Sequence, residues 1–484
     1  MQFSIIQRIL GMLLIAFSMT LIPPMLVSIG YDDGSLHAFI LAFIVMFGLG
    51  LLSWFPARKA NAELHLHDGF LITAIFWIVF SSIGALPFLF IVELEHLTLA
   101  QSIFEAVSGF TTTGATIIVG LDDLPKSILY YRQQLHWLGG LGIVVLAVAV
   151  LPILGIGGMQ LYKAETPGPM RDDKLTPRLE HTAKALLYIY IVLTSSCAVA
   201  YWMAGMDWFD AIGHSYSTVA TGGFSTYDAS IGYFNSIAIE IVTMIFMILG
   251  SLNFTVHFVA WRRLELSHYL HDIQAKVFIY IILVLISLSV FVLLWTKEYL
   301  SFWTTLRYAS FEVISIISTT GYGIADFSEW PLFLPVLILG SSFIGGCVGS
   351  TAGGFRVIRF ILLYKQALRE IMRLIHPNAI IAVKVGNKKV SDQITEAVWG
   401  FTFLYMASYV FLSLLLMATG VDAITAFSGI AATFNMTGPG LGTVAANCSE
   451  ISDAGLWIMS FAMLLARLEI FTLLVLLTPA FWRR

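Results

Sequence analysis

The run Ser318-Thr319-Thr320-Gly321-Tyr322-Gly323 follows an apolar segment, and three looser copies of its Thr-Gly core stand at Thr113-Gly114, Thr221-Gly222 and Thr437-Gly438. The four glycines lie 108, 99 and 117 residues apart. A Thr-x-Gly-Tyr-Gly run after an apolar segment is how a potassium-selective pore lines itself with backbone carbonyls. A period of this size implies four pore units in series, so one polypeptide supplies what otherwise takes four subunits.

A chain of 484 residues that is 58% hydrophobic and 12% charged, with mean hydropathy +0.85, has too little polar surface to solvate a globule. A net charge of -4 with no basic run interleaved with aromatics gives no sign of nucleic acid, and three scattered cysteines form neither a disulfide framework nor a metal site. Segments long enough to span a bilayer as helices lie near 3–29, 36–56, 70–92, 135–156, 183–204, 233–259, 275–296, 331–362, 394–418 and 454–480. The first is too long for a signal-peptide core and is expected to stay in the mature protein. Between the third and fourth, fifth and sixth, seventh and eighth, and ninth and tenth crossings lies a shorter apolar stretch of about a dozen residues, too short to span and ending in Thr-Gly. Each reads as a re-entrant pore helix followed by an extended strand. With this layout, 21 of the 26 Lys and Arg fall on one side, while Lys126, Arg132, Lys297 and Arg307 fall on the other and Arg467 lies within a crossing. Both termini are therefore expected in the cytoplasm, with an acidic outer surface that raises local cation concentration.

Aligned on the shared pair, the repeats read Thr112-Thr113-Gly114, Ala220-Thr221-Gly222, Thr319-Thr320-Gly321 and Met436-Thr437-Gly438, the last preceded by Asn435. Glycine accepts φ > 0 without steric cost, so four of them can complete a ring of carbonyl oxygens that replaces a cation's hydration shell. These residues are the candidate potassium ligands. Only the third copy continues into Tyr-Gly, so the carbonyl stack beyond the glycines is expected to be incomplete. Eight residues before the Thr of the pair stand Glu105 and Glu312, against Gly213 and Gly429 in the other repeats. The two carboxylates either brace the pore helix behind the strand or stabilise permeating cations.

These marks resemble the superfamily of potassium transporters that includes bacterial Trk and Ktr proteins, plant HKT transporters and fungal Trk proteins, and the two extra front helices resemble the Trk type more than the shorter Ktr type. The resemblance covers the whole chain. It implies a homodimer with one pore per protomer and a cytoplasmic ring of nucleotide-binding regulators of the TrkA type. The eighth crossing is interrupted by the run 345–354, which includes Gly345, Gly346, Gly349, Gly353 and Gly354. Each Gly costs a helix about 1 kcal/mol relative to Ala, so a break is expected. The run reads as an intramembrane gate, as close helix packing through small residues, or as a phosphate-cradling loop, for which it lacks the Gly-Lys-Ser/Thr ending. The resemblance implies a movable loop that obstructs the pore. Arg467 sits in an apolar crossing, where an Arg costs about 2.5–3.5 kcal/mol on insertion scales. Its alternatives are a pair with Glu469, two residues away on a helix and so poorly placed, or a position facing the pore near the Gly-rich loop. Regulator contact is expected on 163–184 and 356–392.

The reading is an all-α integral membrane protein with ten transmembrane helices and four re-entrant pore loops. It divides into a two-helix extension, 1–60, and pore repeats at 61–158, 159–265, 266–365 and 366–484. The function expected is gated, channel-like potassium uptake across a bacterial inner membrane. The first alternative is a proton- or sodium-coupled symporter, which would pair broken helices in corresponding halves, whereas only the eighth crossing is obviously broken. The second is a membrane enzyme, for which no cluster of His, Asp or nucleophilic Ser stands out. No organic cofactor is expected.

Overall fold

The structure is a computed structural model that describes residues 2–60, 66–142, 179–265, 267–379, 381–386 and 388–483. The expected fourth crossing beyond residue 142 and the basic run 163–178 lie outside the described residues. Among the described residues six helical spans are long and apolar enough to cross a membrane: Phe3–Tyr31, Leu36–Ala57, Asp68–Phe90, Lys184–Met203, Ile273–Trp295 and Asp392–Met417. Two more are bent pairs, Ile237–Ser251 with Phe254–Arg263 at 102° and Asp453–Arg467 with Phe471–Leu477 at 112°. The expected eighth crossing is two helices, Leu334–Ser341 and Val357–Ile375, separated by the non-helical stretch 342–356.

Among the described residues three crossings are thus broken, where the sequence points to one. The Gly-rich run announces the third break, but the other two use different chemistry. After Ser251 the side chain of Asn253 accepts from Thr255 N at 2.8 Å and restarts the helix in a new direction. After Arg467, Glu469 and Ile470 take left-handed φ values of 49° and 40°. Neither site carries a glycine-rich run, only the single Gly250 just before the first, so composition does not flag them.

Four short helices, Leu99–Phe110, Trp208–Val219, Phe302–Ile317 and Ala423–Phe434, are buried along most of their length. Their starts are written locally. Thr98 and Gln101 form a capping box, Asp207 accepts from Phe209 N, and Asp422 accepts from Thr425 N. Each helix ends just before a Thr-Gly segment, and each segment continues as non-helical backbone to a short 3-10 helix: Leu121–Asp123, Ser230–Phe234, Phe327–Glu329 and Gly442–Val444. The N-terminal pair Phe3–Met19 and Leu36–Ala57 packs backbone to backbone, because a Cβ on Gly11 would lie 2.8 Å from Gly50 O. The architecture is all-α, and the strand pairing among the described residues is a two-residue antiparallel ladder, Lys384–Val385 with Lys388–Lys389, in the connection between two helices.

Candidate functional site

The four Thr-Gly segments close into a ring. A Cβ added to Gly114 would lie 2.0 Å from Gly222 O, one on Gly223 would lie 2.0 Å from Thr320 O, one on Gly321 would lie 1.9 Å from Thr437 O, and one on Gly438 would lie 3.0 Å from Thr113 O. Each repeat therefore leans its glycine on a backbone carbonyl of the next, in cyclic order. All four glycines have left-handed φ, at 80°, 84°, 79° and 91°. Two residues earlier, Thr112, Thr221, Thr319 and Met436 are also left-handed, at 61°, 52°, 58° and 58°.

This pattern corrects the alignment in the second repeat. The ring glycine there is Gly223, and Gly222 stands where the others have Thr113, Thr320 and Thr437. The helix-end bonds agree: Thr113 N, Gly222 N, Thr320 N and Thr437 N each donate to the carbonyl five residues back, on Ser108, Ser217, Ser315 and Ala432. Ala220 accordingly occupies the helix-cap position of Thr111, Ser318 and Asn435. The physical reason for the missing side chain is His136, since a Cβ on Gly222 would lie 2.2 Å from its Nδ1. His136 also stacks on Phe224 with centroids 4.1 Å apart. A shared Thr-Gly dipeptide misleads because backbone conformation, rather than residue identity, is what repeats. A serine six residues before the ring glycine, at Ser108, Ser217 and Ser315, is the signal that recovers the register.

With the register corrected, the residue equivalent to Glu105 and Glu312 in the second repeat is His214, not Gly213. All four repeats brace the strand beyond the ring from behind. Glu105 accepts from Ile117 N at 3.0 Å and Thr116 Oγ1 at 3.0 Å. Glu312 accepts from Ile324 N at 2.8 Å and Ala325 N at 3.0 Å. His214 Nε2 is 2.9 Å from Ser225 Oγ, and Ser428 Oγ accepts from Leu441 N at 2.9 Å beside the side-chain-less Gly429. Both glutamates are buried and bonded to the strand, which is the bracing arrangement. Arg132 is buried as well: its Nε lies 2.8 Å from Glu105 Oε1, its Nη1 donates to Ser225 O at 3.2 Å, and its guanidinium covers Phe224 at 4.2 Å. It ties the first repeat to the second instead of charging an outer surface. Arg307 likewise pairs with Glu240, joining the third to the second. Tyr322 is buried, with its hydroxyl 3.3 Å from His214 O and 3.4 Å from Phe224 O.

The Gly-rich run packs directly against one side of the ring. Gly353 N donates to Thr319 Oγ1 at 2.7 Å, and Thr351 Oγ1 donates to Val219 O at 2.9 Å. Cys347 N donates to Ser251 O at 2.9 Å, and Phe254 N donates to Gly349 O at 2.9 Å, so the Gly-rich break is laced to the break after Ser251. A Cβ on Gly353 would lie 2.4 Å from Asn435 O and 2.9 Å from Met436 Cβ. Gly345, Gly349 and Gly354 have left-handed φ of 67°, 78° and 75°, while a Cβ on Gly346 would lie 2.5 Å from that of Ala352. The side chain of Asn435 is held behind the ring, bonded to Tyr405 OH and, at 2.8 Å, to Ser342 Oγ. Arg467 reaches Gly139 O at 2.7 Å, and Thr351 O and Thr112 Oγ1 each at 3.4 Å. Glu469 pairs with Arg359 rather than with Arg467. A cavity of about 50 Å³ lies on this side, lined by Trp77, Gly354, Arg356, Met436, Arg467 and Glu469.

The family model described as TrkH, cation transport protein, matches residues 35–484. The chain is 52% identical over 484 residues to the Trk system potassium uptake protein TrkH of Halomonas elongata and 50% identical over 483 residues to that of Escherichia coli, with 100% of both chains covered in each case. It matches the crystal structure of the potassium transporter TrkH from Vibrio parahaemolyticus with a TM-score of 0.90 and 48% identity, again over 100% of both chains. A ring of four backbone segments in a multi-pass membrane protein, with this likeness along its whole length, makes the chain a member of the TrkH family of cation transport proteins, transporters and not enzymes.

Proposed function

We propose that the four Thr-Gly segments form the selectivity filter of a gated, channel-like pathway for potassium uptake across a bacterial inner membrane. The observation that carries this reading is the cyclic closure of the ring, in which each glycine abuts the backbone of the next repeat, three of them at 1.9–2.0 Å from a carbonyl oxygen by an added Cβ and Gly438 at 3.0 Å. Backbone alternating between left- and right-handed conformations turns successive carbonyls to one side, as a filter that replaces a hydration shell requires. The short helices point their C-terminal ends at the ring, where the helix dipole favours a cation. Non-helical backbone at this depth is tolerated where it lines a water path or is buried in protein. The relatives' names, potassium uptake proteins, support potassium as the transported ion.

In this reading Thr112, Thr113, Gly114, Thr221, Gly222, Gly223, Thr319, Thr320, Gly321, Met436, Thr437 and Gly438 line the filter. The 345–354 loop and Arg467 form the gate beneath it, and Glu105 and Glu312 support the strands. Both termini lie in the cytoplasm, the protein acts as a homodimer, and a nucleotide-binding regulator of the TrkA type docks on the cytoplasmic face. A coupled symporter would place paired breaks in two corresponding halves. Among the described residues the breaks lie in the second, third and fourth repeats, all beside one ring, and a single pathway through that ring supports a pore. The deciding measurement is the reversal potential of purified protein in liposomes under opposed potassium and sodium gradients, repeated with a proton gradient. A value near the potassium equilibrium and indifferent to pH is expected, and displacement by the proton or sodium gradient in fixed stoichiometry would replace the channel with a symporter.

A further inference from the structure

The level of the ring nearest the Gly-rich loop is built from the side chains of Thr112, Thr221, Thr319 and Met436, three hydroxyls and one thioether. Groups on the loop side approach all three hydroxyls. Thr319 Oγ1 accepts from Gly353 N at 2.7 Å, Thr112 Oγ1 lies 3.4 Å from Arg467 Nη1, and Thr221 Oγ1, which donates to its neighbour Ala220 O at 2.7 Å, lies 3.3 Å from Thr351 Oγ1. Met436 lies against Gly353. The same three atoms are the side-chain oxygens this level offers a dehydrated cation. A hydroxyl oxygen carries two lone pairs, and one committed to an N–H donor is turned away from a metal ion. A guanidinium beside the level adds like-charge repulsion in a site of low dielectric.

We propose that the seated loop and a cation are mutually exclusive ligands of this hydroxyl level, so that potassium arriving from the loop side itself displaces the loop. The proposal rests on the pore reading and adds the regulation of its innermost site. Met436 sets the balance. With a thioether, a weak acceptor, in place of a fourth hydroxyl, the level holds a cation poorly and the loop remains seated when potassium is scarce.

Cys347 reports on the loop without alteration of the chain, because its side chain is fully buried and its N–H is bonded to Ser251 O while the loop is seated. The test uses full-length protein in liposomes, with potassium replaced by N-methylglucamine at fixed ionic strength, and follows Cys347 alkylation by peptide mass mapping. The rate is expected to rise saturably with potassium by about fivefold or more, the scale of one or two net hydrogen bonds. Thr319→Val, which removes the shared acceptor, should react fast with a flat potassium dependence, and Met436→Thr should reach its half-maximal rate at lower potassium. A Cys347 rate indifferent to potassium in liposomes that still pass potassium and exclude N-methylglucamine would overturn the competition and leave the pore intact. Retention of the parental potassium dependence in Thr319→Val would do the same. Liposomes that pass both cations alike, or neither, would overturn the pore reading itself.

Discussion

At the residue scale, Gly222 and Gly223 exclude side chains for different reasons, and the difference is testable. Gly223 is left-handed and abuts a neighbouring carbonyl, whereas Gly222 is crowded by the His136 ring. Gly223→Ala should abolish potassium selectivity in liposome reversal potentials whatever stands at 136. Gly222→Ala should be substantially restored by His136→Ala, because that clash is with a removable side chain. Equal rescue of both variants would show that the ring glycine has been misassigned. Arg132 makes a second case. Removing one partner of a buried ion pair leaves an uncompensated charge and costs about 3–5 kcal/mol. Arg132→Met should therefore lower the thermal midpoint in detergent markedly, and Arg132→Met with Glu105→Gln should recover part of the loss.

At the scale of elements, the Gly-rich run acts as a strap rather than a hinge alone. It is bonded to the second repeat through Thr351 and Cys347, to the third through Gly353, and lies against the fourth at Met436. Thr351→Val removes the hydroxyl that bonds Val219 O and Gly250 O while keeping the side chain's shape. Each such bond is worth about 1 kcal/mol net, so the variant should raise potassium flux several-fold in the absence of regulator. Shortening 345–354 should raise it further, and a normal closed state after either change would argue against a gate here. The bend after Arg467 is held by another device, two non-glycine left-handed residues and the Arg359–Glu469 pair, which shows that these breaks share a position and not a sequence motif.

At the scale of the whole molecule, the crossing Ile273–Trp295 is apolar on every face beyond Lys276 in its first turn. Phe278 is fully buried on one side, while Leu283 and Phe291 are 57% and 60% exposed on the other. Lipid tails are as apolar as leucine, so the exposed face gains nothing from the hydrophobic effect. Phe278→Ala should cost about 3–5 kcal/mol through lost packing, and Leu283→Ala should leave the thermal midpoint nearly unchanged. Comparable losses from both would mean that this helix faces protein on both sides. The sequence by itself determined what depends on one-dimensional quantities. Apolar length yields the spans, fourfold recurrence yields four repeats, and a lone Arg in an apolar segment marks a place that needs compensation. The tertiary structure alone decided which helix faces meet, which glycine of the second repeat joins the ring, that His214 and Ser428 stand in for the glutamates of the other repeats, and that two crossings without a glycine-rich run also break. Those outcomes turn on contacts between residues about a hundred positions apart, such as His136 against Gly222. Hydropathy and local propensity report only on a residue's own neighbourhood, so they carry no record of such contacts.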